Sequence, residues 1–312
     1  MDRALAGAAA FAARGHQVSG IRVVPMRFAV THTTRYRYQR AVRLDPHVLR
    51  LRPRNDGSQA LLDFRARVQP RPVGWSECVD LDGNAVAQVW FDGLTDSLII
   101  STTCTVESRR TNPFDFLLDA WATTLPLHPS GELERALAPY RLRSHPDDSV
   151  TAFATSVLRD ATGQTVPFLT TLARRIAERS RATIRLEGDP QAAAVTLSEG
   201  TGACRDLAVL FIDACRAVGL AARFVSGYYC GAVESDRRYL HAWAEVFLPG
   251  AGWRGFDPLQ GVAVVDQHIA VAASAQPAAA APISGTLCGG DAVATPQVEL
   301  SIRECGERCS ED

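Results

Sequence analysis

Between Tyr239 and Leu248 the side chains alternate. Leu240, Ala242, Ala244, Val246 and Leu248 fall on one side of an extended chain, and Tyr239, His241, Trp243, Glu245 and Phe247 on the other. A period of two predicts a half-buried strand. Pro249-Gly250 supplies a turn, and Gly252 to Asp257 predicts a second strand with Trp253, Gly255 and Asp257 on one face. Pro258 forbids ladder bonding just beyond Asp257. Upstream the period lengthens to that of a helix. Cys204, Leu207, Ala208, Phe211, Cys215 and Val218 share a face, while Arg205, Asp213 and Arg216 turn away from it. A strand starting near Ala222 and ending with Tyr228, Tyr229 and Cys230 follows. Ser149 to Asp160 and Val166 to Arg181 predict two further amphipathic helices, the first capped by Asp147, Asp148 or Ser149.

The N-terminal half carries the shorter period. Arg27 to Tyr38, Val48 to Arg52, Ala60 to Gln69, Ala85 to Phe91 and Ser97 to Glu107 predict strands, punctuated by the hairpin-type pairs Asp56-Gly57, Asp82-Gly83 and Asp92-Gly93. The pattern predicts an all-β, sandwich-like domain over 26–110. Prolines at 113, 126, 129, 139 and 146 mark 111–148 as a linker. Residues 149–287 then form an α+β domain in which the Cys204 helix packs on an antiparallel sheet. Within it, the alanine- and proline-rich stretch Ala272 to Ala281 predicts a loop, and 288–312 a tail.

Composition narrows the picture. A chain of 312 residues with 46% apolar content is long enough for about two globular domains. The 33 basic and 34 acidic residues nearly cancel, so bulk charge favours neither nucleic acid nor an anionic membrane as partner. No apolar run is long enough to span a bilayer. Residues 1–25 are alanine-rich, but Met-Asp-Arg carries no net positive charge and the stretch lacks leucine density. They read as an extension, with Met26 as the alternative start, rather than a secretion signal. The eight cysteines contain no CxxC pair, which fits a reducing, cytoplasmic setting. Cys305 and Cys309 alone make a poor zinc site, and Cys288 has no evident partner, so neither metal nor cofactor is expected.

Candidate chemistry concentrates on Cys204. A thiol in the first turn of a helix sits beside unpaired N–H groups and the positive end of the helix dipole, which favour a thiolate. The hairpin brings His241 and Asp257 towards one end. The three residue types have complementary roles: a thiolate attacks a carbonyl, an imidazole takes and returns the proton, and a carboxylate fixes the imidazole's tautomer. Asp206 and Glu245 read as solvated or helix-pairing carboxylates and stay outside this set.

The run from Cys204-Arg-Asp-Leu to Val225-Ser-Gly-Tyr228, then His241-Ala-Trp-Ala-Glu-Val246, then Trp253-Arg-Gly-Phe-Asp-Pro258, resembles the core of the bacterial transglutaminase-like superfamily. The stretch from Phe28 to Tyr38, continuing through Leu49 to Arg54, resembles the β-rich domain that precedes this core in many bacterial members. The similarity spans roughly 26–287. It implies a papain-like α+β fold with Cys204, His241 and Asp257 in the nucleophile, base and orienting positions. It implies no calcium requirement, and the sequence has no loop with EF-hand spacing.

The expectation is cysteine-dependent acyl transfer or amide hydrolysis through a thioester, on a peptide or protein substrate bearing glutamine or another amide. The motif leaves the acceptor open between water and an amine. It leaves the oligomeric state open as well. An alternative of another class is a non-catalytic binding or scaffold protein whose working part is the β domain.

Overall fold

The computed structural model describes residues 25–185, 188–231, 238–288 and 296–305. Residues 1–24 of the N-terminal extension, and Cys309, lie outside them. The chain runs β1 (Arg27–Leu44), β2 (His47–Leu49), β3 (Gln59–Gln69), β4 (Gly74–Val79), β5 (Ala85–Trp90) and β6 (Thr95–Ser108). Then come α1 (Gly131–Arg141), α2 (Asp148–Asp160), α3 (Thr165–Arg179), β7 (Arg181–Ala182), α4 (Ala193–Glu199), β8 (Thr201–Gly202) and α5 (Cys204–Ala217). The second half continues with β9 (Ala222–Tyr229), β10 (His241–Leu248), β11 (Gly252–Asp257), β12 (Val262–Ala263) and β13 (His268–Ser274). It ends with β14 (Ile283–Ser284), β15 (Leu287–Cys288) and β16 (Gln297–Cys305).

The strands of the first half form two sheets. One has the order β15-β1-β6-β3 with β16 also on β1, and the other the order β14-β2-β5-β4. Tyr38, Val42, Leu44, Leu49, Val89, Leu98 and Ile100 form a shared apolar core. β1 supplies Tyr38, Val42 and Leu44 to it, and earlier in the same strand Phe28, Val30, His32 and Thr34 are buried at every second position. The C-terminal segment corrects the reading of 288–312 as a tail. Val298, Leu300 and Ile302 alternate with polar residues, and β16 lies antiparallel to β1 from Arg27↔Cys305 to Arg35↔Gln297. Those residues therefore complete the N-terminal domain.

The second half is built on a five-stranded sheet of order β12-β11-β10-β9-β13, every pair antiparallel. α5 packs on one face of it. Leu207, Ala208, Leu210, Phe211, Ala214 and Cys215 join Ala242, Ala244, Val246 and Leu248 in one core, on the faces that both periods predict. α2 and α3 close that core with Val150, Ala154, Phe168, Leu169 and Leu172, and Asp147 caps α2 by accepting from the Ser149 N–H at 2.8 Å. Two more boundaries change. The proposed linker contains α1, and the alanine-rich stretch read as a loop contributes the end of β13 and a short 3-10 helix, Pro277–Ala280. Alanine has little strand propensity of its own, so here close packing decides the conformation.

The two halves share a buried contact. Phe28, Val30, Cys104 and Val106 of the sandwich pack against Tyr228, Ile269 and Val271. The outer edge of β13 is covered by two buried amides. Gln59 donates to the Ala270 carbonyl at 2.9 Å and accepts from its N–H at 2.8 Å, and Asn84 does the same to Ala273, at 2.8 Å each way. A carboxamide presents the same donor and acceptor pair as a neighbouring strand, so an otherwise bare edge is satisfied. Asn84→Ala strands both groups of Ala273, each costing about 1 to 3 kcal/mol when buried. Urea unfolding is expected to show a loss of about 2 to 4 kcal/mol, whereas a loss below about 0.5 kcal/mol would mean that water replaces the amide.

Candidate active site

The backbone before α5 aims Cys204. α4 ends at Gly200 with φ 61°, a left-handed conformation that glycine adopts without steric cost. β8 then pairs with β7, and at Gly202 a Cβ would meet the Asp206 Cβ at 3.0 Å and Thr196 Cγ2 at 3.2 Å. Asp206 ties the turn down. It is 1% exposed, and its carboxylate accepts from the Ala203 N–H and the Gln191 N–H, each at 2.8 Å, and from the Arg185 guanidinium. Of the two readings of Asp206, solvated or helix-pairing, its burial rules out the first, and its carboxylate braces the helix start that carries the thiol. The sequence signal was present: a carboxylate at the third helical position is where a capping side chain reaches back to the chain. Glu245 pairs with Arg223 of the neighbouring strand β9 at 2.7 Å, neither solvated nor paired to a helix.

β10 and β11 bring the other two groups together. Their register sets Glu245 against Gly255 and Ala244 against Phe256, so the end of β11 reaches the start of β10. There the His241 Nε2–H donates to Asp257 Oδ2 at 2.7 Å. A carboxylate can only accept, which puts the ring proton on Nε2 and leaves Nδ1 for the thiol. Burial acts to lower the basicity of His241, but the Asp257 charge and hydrogen bond, with the Cys204 side chain as a further hydrogen-bond partner, outweigh it and raise its pKa from 6.5 to about 10. Asp257 is fully buried. Burial alone would favour its neutral form, yet His241 and a second imidazole, His268, hold it well below the usual carboxylate range.

His268, the first residue of β13, is the member of the cluster that sequence reasoning missed. Its Nε2–H donates to the same Asp257 Oδ2 at 2.9 Å. Asp257 Oδ1 accepts from the backbone N–H groups of Leu259 at 2.9 Å and Gln260 at 3.2 Å. Tyr229 lies against both imidazoles, its ring centroid 5.6 Å from that of His241 and 5.0 Å from that of His268. Among the described residues, His241, Asp257 and His268 also form a set whose ligand atoms lie within 4.8 Å of one another, a composition able to hold a cation. The N–O separations of 2.7 and 2.9 Å match N–H···O bonds. A tetrahedral zinc with bonds of about 2.0 to 2.1 Å would hold its ligand atoms about 3.3 Å apart. Three cysteines away from this cluster are held as thiols, for burial pushes Cys104 and Cys230 up to about 12 and Cys215 well above its ordinary value.

Comparison with known proteins bears on the same segments. Residues 151–258 match the family model described as the transglutaminase-like superfamily, and residues 28–107 the bacterial transglutaminase-like N-terminal region. The chain belongs to the transglutaminase-like superfamily. The transglutaminase-like core spans from α2 to the residue after Asp257 and contains Cys204, His241 and Asp257. An uncharacterized protein of Mycobacterium tuberculosis is 27% identical over 285 residues, covering 84% of this chain and 87% of its own. One of Mycobacterium leprae is 30% identical over 100 residues, 30% of this chain and 34% of that protein. The crystal structure of a candidate cysteine protease from Cytophaga hutchinsonii superposes with a TM-score of 0.71 at 20% identity, over 92% of this chain and 93% of that one. That likeness carries the fold: an N-terminal β domain followed by a papain-like, transglutaminase-like core. Among the described residues no helix is long and apolar enough to cross a membrane.

Proposed function

We propose that the protein is a cysteine-dependent acyl-transfer enzyme that opens an amide or ester through a thioester on Cys204. The observation that supports this reading is the 2.7 Å bond from His241 Nε2 to a fully buried Asp257, which leaves Nδ1 for the Cys204 side chain, the ring's other hydrogen-bond partner. His241 takes the thiol proton on Nδ1, and the resulting imidazolium is steadied by the Asp257 charge. Attack of the sulfur on the carbonyl carbon forms a tetrahedral oxyanion. The Cys204 backbone N–H, at the helix start where no intrahelical acceptor exists, is a donor suited to it. The imidazolium then gives its proton to the leaving amine, and the C–N bond breaks to leave the thioester. Water or a second amine, deprotonated by His241, resolves it to the acid or to a new amide.

The substrate class that fits is a peptide or protein carrying glutamine or another amide. The test is the full chain against glutamine-containing peptides, with and without a primary amine, following ammonia release and product mass. Amide turnover abolished by prior treatment with iodoacetamide is the expected result, with a free acid marking hydrolysis and an amine adduct marking transamidation. Turnover that survives full alkylation of Cys204 would remove the thiol from the reaction.

A further inference from the structure

His268 sits where an orienting group for the acid would sit. It is 7% exposed and opens β13, the sheet's edge strand, and among the described residues its side chain makes one hydrogen bond, at 2.9 Å to Asp257 Oδ2. Its Nδ1 is buried without a hydrogen-bond partner. A second ring proton there would find no acceptor, so the ring is arranged as a donor through Nε2 alone. Asp257 Oδ2 thus receives two imidazole N–H groups from different strands while Oδ1 receives two backbone N–H groups. With His241 alone on Oδ2, one lone pair of that oxygen would lack a partner and the carboxylate would be held there from one side only. With His268 present, each oxygen has two donors, and any turn of the carboxylate breaks bonds at both.

We infer that His268 is a positioning residue: it fixes the Asp257 carboxylate so that its bond to His241 keeps its direction and its charge. The inference rests on the reading of Cys204, His241 and Asp257 as the reacting set. Its strand is held in turn by the sandwich, through Gln59 on Ala270 and Asn84 on Ala273, so the β domain supports the acid from a distance. The titratable and charged groups facing the pair are Cys204 from α5, His241 from β10, Asp257 from β11 and Tyr229 from β9. Arg238 stands behind Tyr229, donating to its carbonyl at 3.0 Å. None of these offers Asp257 Oδ2 a replacement donor in the described hydrogen bonds.

The experiment is the pH profile of Cys204 alkylation by iodoacetamide in the full chain, read by peptide mass, for wild type, His268→Leu, His268→Gln and Asp257→Asn. Melting temperature is measured alongside. A hydrogen bond to a charged group is worth enough to change a rate about 10- to 100-fold. His268→Leu is expected to slow alkylation at neutral pH by about that factor and to move the high-pH step, where His241 loses its proton, to lower pH. His268→Gln, whose amide nitrogen can reach the place of Nε2, is expected to restore both. If His268→Leu lowers the melting temperature but leaves the profile where it was, or if Gln fails to rescue a shifted profile in a folded protein, the inference is overturned. It is also overturned if dialysis of wild type against a chelator reproduces the Leu profile, because the histidine would then serve a cation. Asp257→Asn separates the two levels. An unchanged profile in that variant contradicts the underlying reading, whereas a changed one with His268→Leu unchanged contradicts only the role of His268.

Discussion

Cys204→Ala is expected to lower turnover of whichever amide or ester the protein accepts by about 10⁴-fold or more, with no loss of fold. The two halves of that expectation have different causes. The rate falls because alanine cannot form the thioester, and the remaining groups supply only binding and oxyanion stabilisation. The fold is kept because the α5 start is braced from elsewhere: Asp206 holds the Ala203 and Gln191 N–H groups, and Leu207, Ala208 and Phe211 are anchored in the core. Cys204 is only half-buried, so trimming it leaves no large cavity. Circular dichroism and turnover, measured on the same preparation, check both.

Asp257→Asn is the second large effect, about 10² to 10⁴ in turnover. Asparagine keeps the shape, and in a site with a single donor to satisfy it could keep the bond. Here every partner of the carboxylate is a donor: two imidazoles on Oδ2 and two backbone N–H groups on Oδ1. An amide has one oxygen, so whichever way it turns its NH₂ faces two N–H groups. If the NH₂ meets the imidazoles, His241 can only answer with the wrong tautomer. If it meets the backbone, the turn after β11 is strained and the charge that steadies the imidazolium is gone. Asp63→Asn, at an exposed site in the β domain, is the control, and turnover equal to that control would take Asp257 out of the mechanism.

How much of this was legible in the sequence depends on how local each signal is. Cys204, His241 and Asp257 each stand at the end of an element with a clear period, and the turn at Pro249-Gly250 fixes how the last two meet. The structure places them as expected, on α5, β10 and β11. His268 was not legible, because its partner is set by the pairing of β13 with β9 across the sheet, and its own stretch is too rich in alanine to suggest a strand. Asn84 and Gln59 were hidden for a similar reason: a carboxamide that completes another strand's ladder has no local pattern. β16 is a different case. Val298, Leu300 and Ile302 do alternate, and the segment was misread because its partner β1 lies more than two hundred and fifty residues earlier in the chain. α1 was obscured by Pro139 inside it, a residue that normally argues against a helix.

The central claim is that the carbonyl carbon of the substrate becomes bonded to the sulfur of Cys204. The most direct test is to mix the full chain with an activated acyl ester or glutamine peptide, quench in acid within the first turnovers, and map the acyl group by peptide mass. One acyl group is expected on the peptide that contains Cys204, labile to hydroxylamine as a thioester is, and absent from Cys204→Ala. An acyl group on another residue, or full turnover in Cys204→Ala, would contradict it.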